Sequence, residues 1–157
     1  MRTFTLCCCI ALMAGCAKPE QQAAKDTTGA TLAAGATPTP ITLAAVAGKW
    51  TMHTMAANSD SVLLTFEMDA TGADGSGWTF NFPGRPAVPV RILATDADSI
   101  VTEAGPYESA LRKGVQVSTH SVMRLQDGKL VGNVVAHYST TGADSVLYLR
   151  TEGTRAN

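Results

Sequence analysis

The chain has 157 residues, with 12 Lys and Arg side chains against 13 Asp and Glu side chains, so its formal net charge is −1 at pH 7. This balance excludes the basic footprint of a nucleic-acid-binding protein, and no basic cluster indicates recognition of anionic lipids. We therefore expect no nucleic-acid partner.

The first fifteen residues are typical of a secretion signal. Met1-Arg2-Thr3 form a short basic start, an apolar run covers residues 4–14, and Gly15 precedes Cys16. A basic start, an apolar core of about 7–15 residues and small residues before a cleavage point define such signals. The run is too short to cross a bilayer, which takes about 20 apolar residues. We therefore predict a signal peptide over residues 1–15.

The end of that segment resembles the lipobox of bacterial lipoproteins, with the sequence Leu12-Met13-Ala14-Gly15-Cys16. The resemblance implies cleavage before Cys16, a diacylglyceryl group on its sulfur and usually an acylated N-terminus. Stable anchoring takes two or more acyl chains. The other cysteines, Cys7, Cys8 and Cys9, lie within the signal and would leave with it. We expect a membrane anchor on Cys16 and a place in the bacterial cell envelope, at the periplasmic face of the outer membrane.

A polar, small-residue stretch follows, rich in Ala, Thr, Gly, Gln and Pro, and it ends in Thr37-Pro38-Thr39-Pro40. Such a composition cannot bury enough apolar surface to offset its ordering entropy. We predict a flexible, disordered tether over residues 16–40, spanning on the order of 25–30 Å.

The length of the remaining part, residues 41–157, predicts one domain with a single core. Short apolar segments separated by Gly, Asp, Asn and Pro turns indicate an all-β fold. We predict eight strands, over residues 50–56, 62–69, 78–82, 88–95, 99–103, 115–125, 130–139 and 145–152. One helical turn is plausible over residues 107–113. The pattern favours a single antiparallel up-and-down barrel, because closure removes the exposed sheet edges.

The Asp127-Gly128 pair predicts a tight hairpin of type I′, in which both central residues take positive φ. Gln126 would then face Lys129, and one face of the ribbon would carry Val115, Val117, Thr119, Ser121, Met123 and Leu125 against Leu130, Gly132, Val134, Ala136 and Tyr138. We predict that this is the inner face, because the other side is more polar.

The start of the first strand reads Gly48-Lys49-Trp50, and arginines occur near the end of the chain at Arg150 and Arg155. This arrangement resembles lipocalin-type barrels. The resemblance implies that Trp50 closes one end of the barrel and packs under an arginine. Arg150 is the better partner because it lies on the last predicted strand, and Arg155 is the alternative.

No nucleophile motif, phosphate-binding loop or metal-ligand spacing is present, so we expect no cofactor and no enzyme activity. The histidines are His53, His120 and His137, and the hairpin register makes the last two diagonal neighbours on the outer face. A metal site needs three or four convergent ligands, so two solvated histidines are the simpler interpretation.

The connection before the sixth strand is the most polar candidate for a ligand site, with Tyr107, Glu108 and Arg112. These side chains could line the open mouth of the barrel, where Tyr138 could reach them. Alternatively, Tyr107 and Leu111 cover the core while Glu108 and Arg112 form a surface pair. Arg85, in the turn Phe82-Pro83-Gly84-Arg85-Pro86, is either solvated or a ligand contact.

Three functions stay open at this point. The first is a lipid-anchored, non-catalytic binding module for a small apolar ligand or an envelope protein. The second is a structural or interaction lipoprotein with a filled barrel, and the third is a hydrolase or metal-dependent enzyme. An interior volume below about 300 Å³ would favour the second over the first.

Overall fold

The computed structural model describes residues 40–72 and 74–156. One helical turn, α1 (Leu43–Val46), precedes eight strands, and a short 3₁₀ turn (Ala143–Ser145) precedes the last of them. The strands are β1 (Gly48–Ala56), β2 (Val62–Ala70), β3 (Thr79–Asn81), β4 (Val88–Thr95), β5 (Ile100–Glu108), β6 (Gln116–Gln126), β7 (Lys129–Tyr138) and β8 (Val146–Arg155). Among the described residues, no helix has the length and apolar character needed to cross a bilayer. The predicted signal, Cys16 and the tether up to residue 39 lie outside the described residues.

Each strand pairs antiparallel with the next one along the chain, and β8 pairs with β1, so that the sheet closes on itself. The prediction of an all-β, up-and-down barrel of eight strands is confirmed, and this barrel fits a lipocalin-like fold. Closure gives every strand a hydrogen-bonded neighbour on both sides over at least part of its length, which is how barrels avoid exposed edges.

The β6–β7 hairpin has the predicted register, with Gln126 facing Lys129 and Met123 facing Gly132. Asp127 and Gly128 have φ values of 51° and 76°, as a type I′ turn requires. The predicted inner face is confirmed for Val117, Thr119, Ser121, Met123, Leu130, Ala136 and Tyr138, which are all buried, whereas Leu125, next to the turn, is 37 % exposed.

The prediction of a helical turn over residues 107–113 is wrong, because β5 continues to Glu108. A bulge between Ala104 and Tyr107 lets the strand pass Gly105-Pro106 and resume pairing with β6. Gly105 has a φ of +119°, and a Cβ there would lie 2.8 Å from the Ser118 Cα. Glycine therefore allows a close strand contact at a position where the sequence indicates a break.

Strand β8 extends to Arg155, three residues beyond the prediction, because the start of β1 pairs with it. This pairing brings the two ends of the described domain together at one end of the barrel, which we call the Trp50 end. The opposite end, which we call the Tyr138 end, carries the connections over residues 57–61, 82–87, 109–115 and 139–145. The larger core cluster includes Trp50, Trp78 and Met68, whereas the smaller one, around Tyr138, consists of few buried side chains.

Candidate functional site

The Trp50 end is closed by α1 and by an arginine. Trp50 is fully buried, and its Nε1 donates to the Val46 carbonyl at 2.7 Å. The Arg155 guanidinium lies 4.5 Å above the Trp50 ring and donates to the carbonyls of Ala45 and Ala47 at 2.6 and 2.8 Å. Gly48 leaves room for this guanidinium, since a Cβ there would lie 3.1 Å from it.

The predicted pairing of Trp50 with Arg150 is therefore wrong, and the alternative, Arg155, occupies that position. Trp50 faces Arg155 directly in the β1–β8 ladder, whereas Arg150 faces Met55. The two arginines are five positions apart on β8, a distance of about 17 Å along the strand. Because five is an odd number, their side chains point to opposite faces of the sheet. Arg150 instead donates to Asp60 Oδ1 at 2.7 Å and to the Ser59 carbonyl at 2.9 Å.

The Tyr138 end also has an arginine over an aromatic ring. The Arg112 guanidinium lies 4.0 Å above the Tyr138 ring and donates to the Asp144 carbonyl at 2.7 Å. The structure thus brings two predicted site residues together, but Arg112 covers this end of the barrel. Cation–π contacts of this kind stabilise exposed sites by about 0.5–1 kcal/mol.

The loop over residues 109–115 is held down by a buried serine. Ser109 is 2 % exposed, and its Oγ accepts from the backbone N–H groups of Leu111 and Arg112, both at 3.1 Å. The alternative surface pair of Glu108 with Arg112 does not form, because Glu108 Oε1 accepts from the Gly114 N–H at 3.1 Å. Leu111 lines the space beneath the loop, as that alternative expected.

Beneath the loop, the barrel interior holds a cavity of only about 50 Å³. Aromatic rings fill much of the space around it. Phe66 lies 5.1 Å from Phe80 and 4.9 Å from Phe82, and Phe82 stacks on Tyr107 at 5.5 Å. The interior is therefore packed by side chains, as eight-stranded barrels allow.

Two polar groups stand out in this apolar interior. Thr119 is 9 % exposed and borders the cavity, and its Oγ1 lies near the Tyr107 hydroxyl, although no described atom completes a hydrogen bond of good geometry with it. Burial raises the pKa of the Tyr107 hydroxyl, so this phenol stays neutral well beyond physiological pH.

Outside the barrel wall lies a much larger open groove, with a volume of about 760 Å³. It runs between the β3–β4 connection and the last residues of β5. Its walls include Pro86, Pro89 and Pro106, its rim includes Arg85, Arg91 and Glu103, and its floor includes Phe82 and Tyr107. Phe82 and Tyr107 also border the interior cavity, so their stacked rings separate the two spaces.

The groove contains two predicted site residues, Tyr107 and Glu108, but not Arg112 or Tyr138. The predicted mouth is therefore divided into a covered barrel end and an outer groove. The sequence did not identify Arg91 and Glu103 as site residues. Strand alternation predicts only that their side chains point outward, and it does not predict that they border a groove. Arg85 is partly exposed to solvent, and its Nη1 donates to the Glu108 carbonyl at 2.8 Å.

The histidines lie apart from both spaces. His120 and His137 are exposed on the outer face, and the latter faces Ser118, as the predicted register requires. His53 Nδ1 lies 3.0 Å from Thr65 Oγ1 on the neighbouring strand. Within residues 40–72 and 74–156, no three His, Cys, Asp or Glu side chains are placed to share a metal ion.

Comparisons with protein-family models, with curated proteins and with solved structures give no match to this chain. The geometry of the barrel and its groove therefore carries the functional argument.

Proposed function

We propose that this chain is a lipid-anchored protein of the bacterial cell envelope, and that its barrel is a non-catalytic interaction module that binds a protein partner on its outer surface. The observation that carries the proposal is the interior volume of about 50 Å³. Ligand pockets typically measure about 300–1,000 Å³, so an apolar ligand of ordinary size would not fit inside. This volume favours the filled-barrel alternative over an internal carrier.

The anchor rests on the sequence. The signal pattern over residues 1–15 and the lipobox-like Ala14-Gly15-Cys16 support lipidation of Cys16 and a place at the periplasmic face of the outer membrane. A tether over residues 16–40 would hold the barrel on the order of 25–30 Å from the anchor, within reach of other envelope proteins.

The outer groove is where we place the partner. Its volume of about 760 Å³ lies within the range of binding pockets. It combines apolar walls and an aromatic floor with charged side chains at the rim. Interfaces are typically built in this way, with an apolar centre surrounded by polar groups.

A small apolar ligand inside the barrel is the second candidate. The apolar and aromatic side chains that line the cavity favour it, since such walls suit an apolar ligand. Such a ligand would have to displace the loop over residues 109–115, because Arg112 and Leu111 cover this end.

Site-specific photo-crosslinking in living cells tests the proposal. A photoreactive residue at Ala87, exposed beside the groove, should crosslink to an envelope protein, whereas one at exposed Thr154, near the Trp50 end, should not. Cys16→Ser should abolish labelling by a clickable fatty acid and reduce the Ala87 crosslink. Equal fatty-acid labelling of the wild type and Cys16→Ser would refute the anchor.

Two further outcomes decide between the candidates. Equal crosslinking at Ala87 and Thr154 would show that the groove is not the interaction site. Binding of an environment-sensitive apolar dye to the wild type, lost in Leu111→Trp, would favour the internal ligand instead.

A further inference from the structure

We propose that the outer groove binds an extended peptide segment bearing a carboxylate, laid alongside the last four residues of β5. This inference rests on the proposed function and narrows it to one kind of partner. Three features of the described residues support it: an interrupted strand pairing, an arginine bound to a strand carbonyl, and the chemistry of the groove walls.

The barrel wall opens between β4 and β5. Their pairing runs from Thr95↔Ile100 to Val90↔Ala104 and ends there, while β5 continues to Glu108 and pairs only with β6. Strand β4 meanwhile continues to Val88, where it pairs with β3. The two strands diverge, so the segment Gly105–Glu108 has a neighbour on one side only, over about 13 Å of strand.

Arg85 bridges this opening. Its Nη1 donates to the Glu108 carbonyl at 2.8 Å, at the side of β5 that a neighbouring strand would otherwise occupy. The N–H of the same peptide unit points the other way. The Ser109 N–H donates toward β6, to the Val115 carbonyl at 2.8 Å. Arg85 thus already engages the Glu108 carbonyl, and the rest of this strand edge is left without a β4 partner. An unpaired strand edge is a template for adding another strand.

Charge complementarity indicates a carboxylate on the partner. Arg91 pairs with Glu103 across the groove rim. Glu108 accepts a backbone N–H of its own loop. Arg85 makes no ion pair with any described residue, so it is the groove cation left to meet an anion. A guanidinium has five donors in a planar fork and can hold the Glu108 carbonyl and a partner carboxylate together.

The walls suit an extended chain better than a helix. Pro86, Pro89 and Pro106 give the groove walls flat apolar rings that a partner's side chains can contact. The stacked rings of Phe82 and Tyr107 form an apolar floor for side chains that point inward. In an added strand, alternate side chains would contact this floor and the others would face solvent.

A peptide selection tests the proposal. Short random peptides displayed on phage are selected against the full-length protein in detergent micelles, and enriched sequences are synthesised with a fluorescent label. We expect Asp or Glu at one position between β-branched residues. Arg85→Gln should weaken binding at least about tenfold, because it removes a charge-assisted bond. Arg124→Gln, at an arginine that pairs with Asp98 away from the groove, is the matched control and should leave binding unchanged.

Backbone recognition has its own signature. Methylation of each peptide N–H in turn should weaken binding only where that N–H faces β5, because the other N–H groups of an added strand point away from it. Ala87→Trp, which narrows the groove and leaves Arg85 intact, should also abolish binding. No enrichment, or enriched peptides that bind Arg85→Gln as they bind the wild type, would overturn the proposal. If Ala87 still crosslinks to an envelope protein in that case, the interaction module stands and only the extended-peptide mode fails.

Discussion

The two ends of the barrel use the same pair of side chains with different support. At each end an arginine lies over a buried aromatic ring, Arg155 over Trp50 and Arg112 over Tyr138. The Trp50 end adds α1, whose carbonyls accept from both side chains of the pair. The Tyr138 end adds a single carbonyl, that of Asp144, and it lies over a cavity.

This difference suggests that the Trp50 end mainly stabilises the barrel and that the Tyr138 end is better suited to binding. The Trp50 end is packed from the centre of the sheet to α1, so movement there would disrupt the main core cluster. The Tyr138 end has few buried side chains, an interior cavity and the adjacent outer groove. Regions with fewer buried contacts open more readily, and binding sites are commonly drawn from them.

Truncating the two aromatic side chains should give the largest contrast. We expect Trp50→Ala to lower the free energy of unfolding by about 3–5 kcal/mol, as for other large buried aromatic side chains. Tyr138→Ala should cost less, about 2–3 kcal/mol, because fewer buried neighbours lose contacts there. Urea unfolding followed by circular dichroism measures both, provided that the m-values agree. Equal losses would contradict the assignment of the Trp50 end as the better packed of the two.

The part of this picture that depends on local signals could be predicted from the sequence. Asp127-Gly128 determines its own turn geometry, and the side-chain period of two then determines which hairpin face is inside. The eight strands follow from alternation and turn residues. The end-closing tryptophan followed from the Gly48-Lys49-Trp50 resemblance.

The parts that depend on pairing between distant segments could not be predicted. Arg155 rather than Arg150 meets Trp50 because of the β1–β8 register, which no local residue determines. The groove arises because β5 passes Gly105-Pro106 through a bulge while β4 turns toward β3. Gly and Pro indicate a strand end, and only packing against β6 overrides that signal.

Replacing two interior threonines should change the free energy of unfolding by smaller amounts, and the difference between them tests whether the hydroxyl at the cavity is hydrogen-bonded. Valine has nearly the shape of threonine, so Thr119→Val removes a buried hydroxyl that makes no hydrogen bond of good geometry, and it should leave stability unchanged or raise it by about 1 kcal/mol. Thr151→Val is the matched control. Thr151 Oγ1 donates to the His53 carbonyl at 3.2 Å, so its loss should cost about 1 kcal/mol. If Thr119→Val costs as much as the control, the Thr119 hydroxyl is bonded in solution, either to the Tyr107 hydroxyl or to a molecule in the cavity.

Raising the pH should destabilise the fold through the ionisation of Tyr107, and this is the smallest effect that we expect. Burial raises the pKa of Tyr107 above its ordinary value near 10, so the folded state favours the neutral phenol. The stability that this shift contributes is fully present below about pH 10 and is lost as the pH rises through the folded-state pKa. The chain has three tyrosines, so the phenolate absorbance of Tyr107→Phe subtracted from that of the wild type isolates the titration of Tyr107. We expect this component to titrate above the ordinary tyrosine value near 10, and the decline of stability at high pH to be shallower in the variant. Loss of the component that titrates first would mean that Tyr107 is open to water, and that the stacked rings do not separate the groove from the barrel interior.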